Sequence, residues 1–178
     1  MTSTLPNDGL LKAVRIIVTI LMAIMVAGFV ALTIAMPIVF FSQSHVAEAM
    51  VADAPGTLAT ALTTIIAIMV LGVVILGLAF HFLQLLRRIV GSVGKGDPFI
   101  TDNADRLNRM GWIAIAIELL KLPAGALALY LVPFFKTDTV AIDAGFSLSG
   151  ILLALILFIL ARVFRHGAAM REDLEGTV

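Results

Sequence analysis

The stretch 87–112, RRIVGSVGKGDPFITDNADRLNRMGW, is the only long polar passage between two strongly apolar halves. It carries five of the chain's twelve Lys and Arg residues: Arg87, Arg88, Lys95, Arg106 and Arg109. Gly91, Gly94, Gly96 and the Asp97-Pro98 pair concentrate turn chemistry there, because glycine admits unusual backbone angles and proline presets one. Each flanking half is long and apolar enough for two membrane spans. The reading that follows is all-α: an integral membrane protein with four transmembrane helices in an antiparallel bundle, hung around this loop.

Composition supports that class. Hydrophobic residues make up 61% of the chain and charged residues 13%, against roughly 25% charged in soluble domains, and the mean hydropathy is +1.10. Net charge is zero, which gives no basic surface for direct nucleic-acid binding. Cysteine is absent, so disulfides, thiolate nucleophiles and Cys-based metal sites are excluded.

The spans are expected at about 16–41, 58–86, 111–135 and 144–161, with a loop at 87–110 and a polar tail at 162–178. No Lys, Arg, Asp or Glu occurs from Ile16 to Ala47, and a hydrocarbon core needs roughly 20 helical residues. That apolar run far exceeds the roughly 7–15 residues of a signal peptide, so the first span is expected to be a retained anchor. Ala27, Ala31 and Ala35 recur at four-residue spacing, a stripe of small residues that suits close helix approach. Trp112 and Tyr130 are placed as interfacial anchors of the third span.

Orientation follows from the basic residues. Lys12, Arg15, the five in the loop, Arg162, Arg165 and Arg171 fall on one side; Lys136 alone falls on the other. The positive-inside rule then places both termini and the central loop in the cytoplasm.

Within the spans, Glu118 and Lys121 stand three residues apart on one helix face, followed by Pro123. Each charge costs roughly 2.5–3.5 kcal/mol at mid-membrane on insertion scales, so both are expected to face other helices. Two roles suit them: a self-neutralising pair that fixes packing, or a proton or ligand site. His81, with Gln84, could join the second role, since imidazole changes charge near neutrality. His45 and Glu48 are three apart in an outer loop, and two ligands do not make a metal site.

The central loop is not a nucleotide site. A phosphate loop needs glycine five residues before its Gly-Lys pair and Ser or Thr after it; here those positions are Ile89 and Gly96. The reading is a flexible turn, then a helix capped at Thr101 or Asp102, with Asp105 suiting its positive end. Phe99 and Ile100, apolar in a polar setting, are expected to be buried, whether at the membrane interface, in the bundle's inner mouth or against a partner protein.

Gly94-Lys95-Gly96-Asp97-Pro98-Phe99, then Asn103, Arg106-Leu107 and Gly111-Trp112, together with the ending Ala161-Arg162-Val163-Phe164-Arg165-His166-Gly167 and Leu174 to Val178, resemble a family of small bacterial inner-membrane proteins, the domain of unknown function 2975. The resemblance implies four spans, a loop motif on Gly94, Gly96, Pro98, Phe99, Asn103, Arg106 and Leu107, and a tail motif on Phe164, Gly167 and Val178. It also implies a partner, a small helix-turn-helix regulator; the family has no established catalytic residues, so none are carried over, and no cofactor is expected. The expected function is a non-enzymatic regulatory or sensory membrane protein contacting such a regulator through Gly94–Met110 and the tail. The rival is a small transport or permeability protein, a homo-oligomer, using Glu118, Lys121 and His81.

Overall fold

The computed structural model describes residues 8–51, 56–94, 96, 98–135 and 147–175. All regular structure in these residues is helical. The elements are α1 (Asp8–Phe41), a short α2 (Gln43–Ala49), α3 (Leu58–Val93), α4 (Thr101–Leu131) followed by a 3₁₀ turn at Val132–Phe134, and α5 (Leu148–Glu175). Four of these, α1, α3, α4 with its 3₁₀ turn, and α5, are long and apolar enough to cross a membrane. That is the signature of a multi-pass membrane protein.

The helices outrun the apolar spans at their polar ends. α3 continues through Arg87-Arg88 to Val93, and α5 continues through the basic segment to Glu175. Hydropathy marks where a helix leaves lipid, whereas the backbone hydrogen bonds that define it carry on into water. The loop is therefore a short turn from Gly94 to Ile100, and the tail is helical as far as it is described. Where the fourth span begins, at 144 in the sequence reading, lies outside the described residues.

Packing follows chain order: α1 on α3, α3 on α4, and α4 on α5, with no comparable contact of α1 with α4 or α5, or of α3 with α5. Each long helix therefore packs chiefly on its neighbours in sequence, and all four also line a common cavity. The densest core lies at the α3–α4–α5 end, where Leu85, Ile89, Leu107, Met110, Ile113, Leu157 and Ala161 are buried together. Large apolar residues elsewhere are exposed along α1 and α5, among them Ile20, Ile24, Phe29, Leu152 and Ile159. A face of that kind is stable only against lipid or protein.

The α1–α3 contact is a reciprocal interlock. Leu76 of α3 sits on Gly28 of α1, and Leu32 of α1 sits on Gly72 of α3. The side facing α3 therefore runs through Gly28 and Leu32. Ala27 and Ala31, two members of the expected alanine stripe, are exposed. The glycines let the leucines seat closely: a Cβ at Gly72 would meet Leu32 at 3.2 Å, whereas one at Gly28 would reach Leu76 at an ordinary contact distance of 3.4 Å.

Gly111 has a similar role between α4 and α5. A Cβ there would lie 2.7 Å from Cε1 of Phe158, whose ring also meets Trp112 edge-on at 5.6 Å. Gly111→Ala is expected to destabilise by about 1–3 kcal/mol through overpacking. Trp112 is the sole tryptophan, so its fluorescence in micelles during denaturant titration reads this directly. An unchanged midpoint would refute the close packing.

Candidate functional site

Two places gather the chain's polar chemistry. The first is the turn between α3 and α4. α3 closes with Gly94 N–H donating to Val90 O (3.1 Å) and Gly96 N–H donating to Val93 O (3.0 Å). Gly96 has φ +81°, a left-handed conformation that glycine adopts without steric cost. The chain is extended at Ile100, the residue that caps α4. Neither Thr101 nor Asp102 is the cap. Thr101 is already helical, and the cap position uses backbone geometry without a side-chain bond.

What fixes the turn is Asn103, completely buried. Its Nδ2 donates to Ser92 Oγ (2.6 Å) and Pro98 O (2.9 Å), while its Oδ1 accepts from Arg106 Nη1 (2.7 Å). Arg106 donates also to Asp102 (2.9 Å). One amide thus ties the end of α3, the turn and the start of α4. Leu107 lies beside it in the core, and Gly94 and Gly96 are exposed.

Phe99 was expected to be buried and is 43% exposed; Ile100 is half-buried. One face of the Phe99 ring is nonetheless occupied. It packs on Phe164 of α5 with centroids 5.1 Å apart, and it lies so close to Gly167 that a Cβ there would come within 2.8 Å of the ring. Arg165 of α5 donates to Asp105 of α4 at 2.9 Å. Asp105 therefore serves an interhelical ion pair. Phe99 also lines a groove of about 850 Å³ together with Val163, Gly167 and Met170 and the basic side chains Arg162, Arg165 and His166. The loop motif and the tail thereby form one surface.

The second place is Glu118. It is buried, and its carboxylate accepts from Lys121 Nζ at 3.1 and 3.0 Å and from the backbone N–H of Ser147 at 3.2 Å. Ser147 immediately precedes α5, so the carboxylate meets the positive end of that helix and an N–H that has no partner within it. Gly150 allows the approach, since a Cβ there would overlap the carboxylate. α5 thus begins beside the middle of α4, which runs on for about 20 Å past this level.

Glu118 also borders a cavity of about 300 Å³ to which α1, α3, α4 and α5 all contribute, through residues including Met25, Phe82, Ile117 and Leu153. Among the described residues, Glu118 is the only charged one lining it. His81 does not line it and is exposed, so the structure brings together Glu118 and Lys121 but not the third member of the expected intramembrane set. His45 and Glu48 approach at 3.9 Å on α2, both well exposed. Among the described residues no cluster of three or more metal-ligating side chains occurs.

Sequence reasoning missed Ser92, Ser147 and Gly150. Ser147 and Gly150 carried no local signal, because their contact with Glu118 spans about thirty residues of chain.

A known family matches over residues 78–178, described as a protein of unknown function (DUF2975). No curated protein and no solved structure matches the chain.

Proposed function

Since the chain belongs to the DUF2975 family, whose function is not known, its role has to come from its own geometry, and we propose a non-enzymatic regulatory membrane protein that holds a cytoplasmic regulator. The observation that carries this reading is Phe99, an aromatic ring left 43% exposed beside an apolar groove on a turn otherwise locked by Asn103. A rigid junction presenting an exposed aromatic is the anatomy of a binding anchor. The groove's basic side chains suit a partner segment with an apolar anchor flanked by Asp or Glu.

The placement is a bacterial inner membrane, with antiparallel helices and both termini cytoplasmic. Contact registers support the antiparallel arrangement: Gly28 meets Leu76 while Leu32 meets Gly72, and Glu118 meets Ser147 while Asp105 meets Arg165. In each pair numbering rises on one helix as it falls on the other. The ten-to-one bias of basic residues supports the orientation. The partner implied by the family resemblance is a small helix-turn-helix regulator.

Affinity capture from native membranes tests the proposal. The wild-type chain is expected to retain a helix-turn-helix protein, and Phe99→Ser with Arg165→Glu to reduce that recovery at least tenfold, as for loss of a binding hot spot of about 2 kcal/mol or more. Recovery of no such protein, or equal recovery by the variant, would overturn it. The transport reading has the four-helix cavity in its favour. Against it, both carboxylate oxygens of Glu118 are already engaged, and His81 stands apart.

A further inference from the structure

A second basic site lies away from the turn, in the groove between α1 and α3. A cleft of about 420 Å³ there is lined by Arg15, Met22, Gln84, Arg87, Arg88 and Gly91. Three arginines line it, and none of the three forms an ion pair with a described carboxylate. Like charges lining one cleft repel one another unless an anion sits among them. The planar fork of arginine matches phosphate oxygens in particular.

Farther along the α1–α3 contact lies a separate, wholly apolar slot of about 240 Å³, which includes Val26 and Phe29 of α1 and Gly77 and Phe80 of α3. On α1, Arg15, Met22, Val26 and Phe29 are spaced by seven, four and three residues. On α3, Gly77, Phe80, Gln84, Arg88 and Gly91 are spaced by three or four. Each set is therefore one continuous helix stripe. A cationic cleft followed along one helix contact by an apolar slot has the chemistry of a phospholipid, phosphate first and acyl chain behind.

We propose that the α1–α3 groove binds an anionic phospholipid, with Arg15, Arg87 and Arg88 holding its phosphate and the slot beside Phe29 and Phe80 taking an acyl chain. This assignment does not depend on the regulator reading. Basic clefts between membrane helices on the cytoplasmic side are recognised headgroup sites, each basic residue contributing about 1 kcal/mol, or roughly fivefold in affinity.

The test uses the full chain, purified and delipidated in detergent, with binding read by native mass spectrometry. Phosphatidylglycerol is expected to be retained over phosphatidylcholine, and the R15Q/R87Q/R88Q variant to lose retention by about 100-fold. The R88Q single variant, which serves if the triple variant does not fold, is expected to lose about fivefold. R109Q, which removes an exposed arginine outside the cleft, is expected to leave retention unchanged. Equal retention of the two lipids, or equal losses in R88Q and R109Q, would overturn the site. Inorganic phosphate displacing the lipid at micromolar concentration would overturn the lipid assignment and mark a free-phosphate site.

Discussion

Glu118→Ala is expected to destabilise the protein by about 3–5 kcal/mol, as measured for breaking buried ion pairs from one side. The carboxylate is 10% exposed, and its removal leaves two groups stranded. Lys121, whose side chain is 36% exposed, keeps its ammonium charge without its partner, and the Ser147 N–H loses its acceptor at the start of α5. Lys121→Met should also destabilise, since it leaves the Glu118 charge buried without its partner. Combining Glu118→Gln with Lys121→Met removes both charges while the amide oxygen still accepts from Ser147. That double variant is expected within about 1 kcal/mol of wild type, as neutral replacements of buried pairs often are. Unfolding titrations in micelles on all three variants close the cycle. A Glu118→Ala protein as stable as wild type would sink the view that this pair docks α5. A stable double variant that still recovers the regulator would place the pair in packing and not in function.

Asn103→Leu is the second large effect, expected at about 2–4 kcal/mol. The apolar side chain is close in size but strands several partners at once: Ser92 Oγ, Pro98 O and a guanidinium nitrogen of Arg106. A buried polar group left without a partner costs about 1–3 kcal/mol, and Arg106 retains Asp102 as a partial substitute. Asn103→Asp makes a sharper probe. It keeps an acceptor for Arg106 and loses both donated bonds, so it should fall between wild type and the leucine variant. Hydrogen exchange localises the damage: protection should drop at 92–106 and persist at Leu157 and Ala161. Uniform loss across the chain would mean that Asn103 supports the whole core and not the turn.

How much of this was legible in the sequence depends on the range of each interaction. The four long helices were, because uninterrupted apolar runs such as Ile16–Ala47 carry their own length. Their polar ends were not, because Arg87 through Ser92 differ in hydropathy from the span yet continue its helix. The Glu118–Lys121 pair was legible as a three-residue spacing. Its third member, Ser147, was not, since the α4–α5 alignment that places it depends on Gly111 and Gly150 accepting Phe158 and Glu118. Asn103 came to notice through the family motif alone, with nothing in its neighbours to signal Ser92 across the turn. Phe99 shows the limit from the other direction. Its apolar character correctly implied a contact, met by Phe164, but not that the contact would cover one face only.

α1 rests on the remainder through essentially a single side. Val18 is its one buried residue among those described, and apart from the short α2 its neighbour is α3. Such an element can undock as a cooperative unit below the free energy of global unfolding. The cleft formed by Arg15, Arg87 and Arg88 exists only while α1 is docked. Any anion occupying it therefore favours the docked state in proportion to the logarithm of its concentration over its dissociation constant. By thermodynamic reciprocity, undocking weakens the anion's affinity by the same factor. On the lipid assignment proposed above, the docking of α1 would then follow the anionic content of the surrounding leaflet, at a place where the Arg15 guanidinium lies close to Gly94.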